Sequence, residues 1–172
     1  MDARRESEPT LMTNPTTAER ASDRELVVTR TFNAPPRIVF EAWTRPELLQ
    51  GWWVPKSCGA VMISCEADVR VGGTYRFVFR HEAFPDPMAF FGRYIEVTPH
   101  SRLVWTNEEG EAQQVTTVTF EEKGGRTLLV MHDLYPSKEA LDAAIASGST
   151  SGTAETFEQL DELLDTQRAN AF

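Results

Sequence analysis

The sequence predicts an α+β domain in which a curved antiparallel sheet of about six to seven strands wraps around a long C-terminal helix. Three observations support this prediction. Strand-like runs follow one another through the middle of the chain and are separated by turn sequences. Two short helical segments follow the first strand. An amphipathic segment with apolar residues along one side lies near the end of the chain.

The length of the chain, 172 residues, is enough for one domain with its own hydrophobic core. Residues 1–24 are rich in Thr, Ser, Glu, Arg and Pro and lack apolar periodicity. We therefore expect a disordered N-terminal tail over residues 1–24 and a single domain over residues 25–168. Met12 is an alternative start of translation. The first residues contain no apolar run, which disfavours a secretory signal and favours a cytoplasmic protein.

The charge balance limits the partners that we expect. A net charge of −9 argues against nucleic acid, because phosphate recognition normally begins with a basic patch. No apolar run approaches the roughly 20 residues that cross a bilayer, so we expect no membrane span. The two cysteines, Cys58 and Cys65, match no metal or redox spacing and are expected to be reduced thiols.

Prolines mark the boundaries of the first predicted strand and of the two helices after it. The run Glu25–Phe32 is rich in β-branched residues and ends at Asn-Ala-Pro-Pro, which predicts a strand and a turn. Pro36 suits the first turn of a helix. Pro46 ends that helix and begins a one-turn helix through Leu49, which is followed by a pair of tryptophans.

Six further runs predict the strands of an antiparallel meander, because their connections are short and contain Gly, Pro, Asp and Ser. They are Val61–Val69, Thr74–His81, Ala89–Val97, Arg102–Asn107, Gln114–Glu122 and Thr127–Asp133. Tyr75, Phe77 and Phe79 alternate with Arg76 and Arg80, so the sheet is expected to have one packed face and one wetter face.

Two helices are predicted after the sheet. Ser137 is a candidate N-cap for the first, which Gly148 interrupts. The second runs from Thr153 to Leu164, with Phe157 and Leu160 on its apolar side. A curved sheet leaves a gap beneath such a helix, and concave sites with aromatic walls commonly hold small molecules.

Several motifs in order resemble a known family: R-T-F-N-A-P-P-R-I-V-F-E-A-W-T-R-P-E-L-L, W-W-V-P, R-V-G-G-T-Y-R-F, G-R-Y-I-E-V-T-P-H-S-R-L-V-W-T and V-T-F-E-E-K-G-G-R-T-L-L-V. Residues 25–164 resemble the bacterial branch of the heat-shock chaperone ATPase activator-like domains. These belong to the SRPBCC helix-grip superfamily, with START lipid-transfer domains, birch-pollen-allergen-like proteins and polyketide cyclases. The resemblance implies a helix-grip fold with a hydrophobic cavity between sheet and terminal helix, and it brings no catalytic motif.

The chain departs from that family at two positions. The family commonly has glycine after the paired tryptophans, where this chain has Val54. It also commonly has Gly-Trp near the start of the last helix, where this chain has Gly152 and Thr153. Loss of that indole is expected to open space beside the cavity or to let Phe157 fill it.

Nine residues are candidates for contact with a ligand in this cavity, the alternative for the aromatic ones being an ordinary filled core. They are Trp53, Phe77, Phe79, Tyr94, Trp105, Met131, His132, Phe157 and Leu160. His132 is the histidine expected to approach the interior, where it would orient a polar group or act as a general base; the alternative is a solvent-facing strand histidine. No catalytic residue is assigned.

No metal or cofactor is expected. His81, His100 and His132 lack a metal-ligand spacing. The sequence G-S-T-S-G at residues 148–152 lacks the strand-to-helix elbow of a serine hydrolase. The Gly-Gly pairs precede strands, whereas phosphate-binding loops lead into helices.

The favoured hypothesis is a binding protein for a hydrophobic or amphipathic small molecule of unspecified identity. One alternative is an enzyme of the cyclase or hydrolase type that uses His132 or a buried acid in the same cavity. Another is a protein-interaction module that docks on a chaperone, which the resemblance and the acidic last helix suggest. A homodimer formed through a sheet face or edge is a further alternative.

Overall fold

The structure is a computed structural model and describes residues 15–109, 113–147 and 152–170. In this part of the chain, eight strands form one sheet in the order β1-β2-β8-β7-β6-β5-β4-β3, and all neighbours are antiparallel. The strands are β1 Thr17–Arg20, β2 Glu25–Phe32, β3 Val61–Ala67, β4 Thr74–Arg80, β5 Met88–Thr98, β6 Arg102–Asn107, β7 Gln114–Lys123 and β8 Arg126–Leu134. The predicted α+β class and antiparallel sheet are confirmed, with eight strands in place of six to seven.

The additional strand, β1, lies within the region for which we expected a disordered tail. It pairs with β2 in the register Thr17 to Thr29 and Arg20 to Leu26. All four of its side chains are exposed, so it has no apolar alternation, and backbone hydrogen bonds to β2 hold it in place. The rest of the predicted tail up to residue 14, including Met12, lies outside the described residues.

The described residues form four α-helices: α1 Pro36–Thr44, α2 Pro46–Leu49, α3 Lys138–Ser147 and α4 Thr153–Asn170. A 3₁₀ turn covers Lys56–Cys58. Proline occupies the first turn of both α1 and α2, as the sequence predicts. The predicted break at Gly148 lies outside the described residues. None of the described helices is both long and apolar enough to cross a membrane.

Helix α4 packs over the inner face of the sheet. Its apolar side buries Phe157, Leu160 and Leu164. The ring of Phe157 meets Phe32 of β2 edge to face, with 5.6 Å between ring centroids. Helix α1 lies beside α4 and contributes a second apolar surface, so the core is enclosed by the sheet below and two helices above.

One glycine controls how closely the β4, β5 and β6 strands approach. A Cβ atom at Gly92 of β5 would lie 1.9 Å from the carbonyl oxygen of Thr106. Tyr75, opposite Gly92 in the register, donates a hydrogen bond from its hydroxyl to that same oxygen at 2.7 Å. Any side chain at residue 92 would therefore disturb the wall that these three strands form.

Candidate functional site

A cavity of about 270 Å³ lies between the inner face of the sheet and α4. Its wall has two parts of different chemistry. We call the first the tryptophan end, formed by Trp43, Trp52, Trp53, Trp105 and Phe157. We call the second the polar end, formed by Asn107, Gln114, Thr116, Asp133 and Tyr135.

The tryptophan end contains all four tryptophans of the chain. Trp43 comes from α1, and its ring centroid lies 4.8 Å from that of Trp52 and 5.9 Å from that of Trp105. Trp52 and Trp53 follow α2, and their centroids are 5.3 Å apart. These separations are typical of favourable aromatic pairs, so the tryptophan end is a packed aromatic cluster with one open side.

The two most buried indoles differ in their hydrogen bonding. The Trp52 N–H donates to the carbonyl oxygen of Ala42 at 2.9 Å. The N–H of Trp43 is buried and finds no acceptor among the described residues. A buried donor without an acceptor is destabilising by about 1–3 kcal/mol. Trp43, whose side chain lines the cavity, therefore has an N–H donor that no described residue uses.

Gln159 of α4 holds the segment that carries the paired tryptophans. Its side-chain amide nitrogen donates to the carbonyl oxygens of Trp52 at 3.1 Å and of Val54 at 2.9 Å. Its side-chain oxygen accepts from the backbone N–H of Lys56 at 2.9 Å. Three backbone groups of an irregular segment are thus satisfied by one buried side chain, which fixes the indoles relative to the helix.

A second contact from α4 supports the same segment one turn earlier. The carboxylate of Glu155 accepts hydrogen bonds from the Ser57 backbone N–H at 2.9 Å and from its hydroxyl at 2.5 Å. These bonds favour the charged form and hold the pKa of Glu155 below its ordinary value. The segment after the tryptophans is therefore tied to α4 at two successive turns.

The polar end is a line of hydrogen-bonded side chains across three adjacent strands. The Asn107 amide nitrogen of β6 donates to the Thr116 hydroxyl oxygen of β7 at 2.9 Å. The Thr116 hydroxyl in turn donates to a carboxyl oxygen of Asp133 in β8 at 2.6 Å. Asn107 also accepts from Tyr75, whose hydroxyl lies 3.1 Å from its side-chain oxygen. The carboxyl group of Asp133 is thus connected by hydrogen bonds to β7 and, through Thr116, to β6.

Asp133 is the buried acid of the cavity. Burial raises the pKa of Asp133, while hydrogen bonds from Thr116 and Gln114 and the field of His132 act in the opposite direction. Tyr135 follows the end of β8, and burial, with a smaller contribution from Asp133, raises its pKa to about 12. Tyr135 is therefore neutral near pH 7, and Asp133 keeps its proton to a higher pH than an exposed aspartate.

The rim of the cavity includes an exposed aromatic side chain. Phe90 of β5 lines the cavity and is 39% exposed, so it lies where the cavity meets solvent. Phe79 of β4 packs against it with ring centroids 5.0 Å apart. An apolar molecule entering at this side would replace solvent on Phe90.

Four of the nine residues predicted to contact a ligand lie together in the cavity wall: Trp53, Trp105, Met131 and Phe157. Phe77 and Tyr94 lie next to them, and with Trp53 and Trp105 they line a separate void of about 10 Å³. That void is too small for more than a water molecule, so Phe77 and Tyr94 support the tryptophan end from behind.

The remaining three predicted residues lie elsewhere. Phe79 touches the rim through Phe90. Leu160 is fully buried in the core of α4 and lines neither of the two cavities described above. His132, which we expected to approach the interior, is on the outer face of β8, 3.5 Å from a carboxylate oxygen of Glu25. Its neighbour Met131 faces inward, and adjacent residues of a strand point to opposite faces.

The sequence interpretation missed Trp43 and the whole polar end. The signal for the polar end was present, because Asn107 is two residues from Trp105 and Asp133 is two residues from Met131. The alternation of a strand places each pair on one face. Trp43 is buried on α1 and lines the cavity at the same time.

One of the two departures from the family pattern lies in the cavity wall. Gly152 and Thr153 both line it at the start of α4. Phe157 is fully buried, with its ring against Trp43 and Phe32. The position of the expected indole therefore holds a short side chain that borders open space. Val54 contributes the carbonyl oxygen that Gln159 binds.

Within the described part of the chain, no three His, Cys, Asp or Glu side chains are grouped so that they could hold a metal ion. The polar groups of the residues that line the cavity are one carboxyl, a phenol, two amides, hydroxyls and indole N–H groups. These groups bind by hydrogen bonding, and the carboxyl can also pair with a cation or exchange a proton.

Comparison with known proteins agrees with this architecture. The family model described as Activator of Hsp90 ATPase homolog 1-like protein matches residues 33–165. A crystal structure of a Rhodobacter sphaeroides protein is similar with a TM-score of 0.80 and 27% identity, covering 88% of this chain and 98% of that one. No curated protein matches the chain.

Two further solved structures share the fold. A Nitrosomonas europaea protein has a TM-score of 0.78 at 24% identity and covers 87% of this chain and 99% of that one. A Mycobacterium smegmatis protein has a TM-score of 0.75 at 23% identity, with 89% and 99% covered. At these identities the likeness concerns the fold alone.

Proposed function

The chain belongs to the family of Activator of Hsp90 ATPase homolog 1-like proteins, and on that premise we propose that it binds an amphipathic small molecule in the cavity beneath α4. The apolar part of the molecule packs on the tryptophan end. Its polar group is bound at the polar end. This proposal agrees with the helix-grip fold, in which the space between sheet and terminal helix is the natural ligand site.

The observation that carries the proposal is the division of the cavity wall into two chemically different ends. A space that only relieves imperfect packing would be apolar throughout and too small for a ligand. This one has a volume of about 270 Å³ and buries Asp133 and Thr116 next to four indoles. Buried polar groups stabilise a fold poorly compared with apolar ones, so their position beside open space favours recognition.

Calorimetric titration with 4-phenylbutanol tests the proposal, because this probe carries one apolar ring and one hydroxyl. We expect saturable binding to the unmodified protein. The variant Thr153→Trp puts a large indole at the cavity wall and is expected to weaken binding about tenfold or more. Thr166→Trp adds the same side chain to an exposed position of α4 and serves as the matched control.

Two results would count against the proposal. One is an absence of saturable binding by the unmodified protein. The other is equal affinity in the Thr153→Trp and Thr166→Trp variants, which would place the probe outside the cavity. Far-ultraviolet circular dichroism of both variants shows whether the fold is intact, so that lost binding is not mistaken for unfolding.

A second candidate function rests on Asp133. An enzyme of the cyclase or hydrolase type needs a group that exchanges a proton beside its substrate. Asp133 lines the cavity with a raised pKa, whereas His132 lies on the outer face. Turnover of 4-nitrophenyl butanoate that is lost in Asp133→Asn and kept in Asp86→Asn, an exposed control, would support hydrolysis. Equal turnover in the two variants would exclude Asp133 from that role.

A further inference from the structure

The charges at the cavity wall are unequal. Among the described residues that line it, Asp133 is the single acidic side chain, and lysine, arginine and histidine are absent. An anionic ligand would have to leave water without a basic partner and approach a carboxyl group. A positively charged ligand would instead be favoured, because it could form an ion pair with the carboxylate of Asp133, for which the cavity wall offers no cation.

The surroundings of Asp133 supply hydrogen bonds without supplying charge. Leu26 of β2 lies opposite it in the register, Thr116 and Gln114 face it from β7, and Tyr135 lies at the end of its own strand. Where α4 borders the cavity it contributes Thr156 and other uncharged side chains. Among the described residues, the basic side chain whose field acts on the carboxyl is His132, on the opposite face of β8.

The tryptophan end is suited to the same kind of ligand. The faces of indole rings carry a negative quadrupole and attract cations more strongly than other aromatic side chains do. Four such rings line the cavity together with the acid. An aliphatic wall would not compensate a cation for its lost hydration, whereas the faces of these rings stabilise a cation that lies close to them.

We infer, on the premise that the cavity binds a small molecule, that its ligand is an amphipathic amine whose ammonium group pairs with Asp133. The hydrocarbon or aromatic part of the amine lies on the tryptophan end. Carboxylates and phosphates of similar size are disfavoured by charge, and neutral alcohols bind without an ion pair.

The pairing makes binding depend on pH in a defined direction. Burial raises the pKa of Asp133, so below that raised pKa the empty protein holds the carboxyl in its protonated form. An ammonium group favours the ionised form, and binding below that pKa therefore releases a proton. Affinity for an amine is expected to rise as the pH increases through the pKa of Asp133, while affinity for an alcohol stays level.

Calorimetry with three matched probes tests this inference: 4-phenylbutylamine, 4-phenylbutanol and 4-phenylbutanoate. We expect the amine to bind about tenfold more tightly than the alcohol, and the carboxylate to bind more weakly than both. In Asp133→Asn, which keeps an acceptor for Thr116, amine affinity is expected to fall about thirtyfold or more and to lose its pH dependence. Asp86→Asn removes an exposed acid and is expected to change neither the affinity for the amine nor its pH dependence.

The outcomes separate this inference from the proposed function. If the alcohol binds as tightly as the amine, or if Asp133→Asn keeps the amine preference, the inference is wrong and the binding function stands. If none of the three probes binds, both are wrong. The comparison of probes and the pH profile are made on the unmodified protein, so they decide the question even if Asp133→Asn does not fold.

Discussion

The tryptophan end and the polar end share one cavity but differ in what their residues contribute to the fold. At the tryptophan end, Trp43 makes close ring contacts with Trp52, Trp53 and Trp105, and its burial stabilises the core. At the polar end, Asp133 is as buried as a core residue and yet carries an ionisable group. The first region resembles a protein interior, and the second resembles a binding site.

This difference indicates that stability and recognition are separated within the site. Burial of an indole is favourable in proportion to its apolar area. Burial of a carboxyl is unfavourable unless it is neutral, hydrogen-bonded or paired. Substitutions at the tryptophan end should therefore change mainly the free energy of unfolding, and substitutions at the polar end mainly its pH dependence and the choice of ligand.

The largest effect is expected for Trp43→Ala. The substitution removes a buried ring that contacts five other aromatic side chains and leaves a large void, so the free energy of unfolding should fall by about 3–5 kcal/mol. Urea-induced unfolding measures it. Phe84→Ala removes an exposed ring and should change stability by less than about 0.5 kcal/mol. Similar losses in the two variants would show that the cluster is not the centre of the core.

A smaller loss is expected for Gln159→Leu, which keeps the size of the side chain but removes all three of its hydrogen bonds to the tryptophan segment. The backbone groups left without partners should lower the free energy of unfolding by about 2 kcal/mol. Gln50→Leu, at an exposed position, is the matched control for the same chemical change. Equal stability of the two variants in urea would mean that the segment holds its conformation without α4.

The smallest effect is expected at the polar end and concerns pH. Asp133 binds its proton more tightly in the folded protein than in the unfolded chain, because burial raises its pKa. Folding stability from this group is therefore lost as the pH rises from the ordinary aspartate value, near about 4, through the raised value, by about 1.4 kcal/mol for each unit between them. Asp133→Asn removes this loss.

The measurement is the difference in unfolding free energy between Asp133→Asn and the unmodified protein at a series of pH values. The difference should be level in acid and should then shift in favour of the variant as the pH rises. Other groups with shifted pKa values, such as Glu109, are present in both proteins and cancel. Two parallel stability curves would show that Asp133 titrates as an ordinary aspartate.

The fold was predictable from local patterns, and the site was predictable in part. Alternation and turn residues identified seven strands, and proline positions identified α1 and α2. Strand β1 was not predicted because pairing with β2 holds it in place, and its four exposed residues, Thr-Ala-Glu-Arg, show no apolar alternation. The contacts of Gln159 with residues more than a hundred positions earlier are set by tertiary packing and have no local signal.

Within the site, the differences between the predicted residues and the observed cavity wall have a common physical cause. The apolar or catalytic character of a residue does not say which face of a strand its side chain occupies. Met131 and His132 are neighbours in one strand, so both could not face the cavity. The same alternation predicts that Asp133, and not His132, faces the cavity together with Met131. It also predicts that Asn107 faces the cavity together with Trp105. Whether an inward-facing ring borders open space or another ring depends on packing in three dimensions, as Phe77 and Trp53 show.

The position of the four tryptophans has a consequence for spectroscopy. Because every indole of the chain lines the cavity, the tryptophan emission of the protein comes from the cavity wall alone. The ring centroids lie close enough for the excited state to pass between indoles, so a molecule that quenches one ring would dim the others. The Trp43 N–H has no acceptor among the described residues, and a hydrogen bond from it to a bound molecule would shift the emission wavelength of Trp43. Binding of a molecule in this cavity could thus be followed by the emission of the protein itself, without a label.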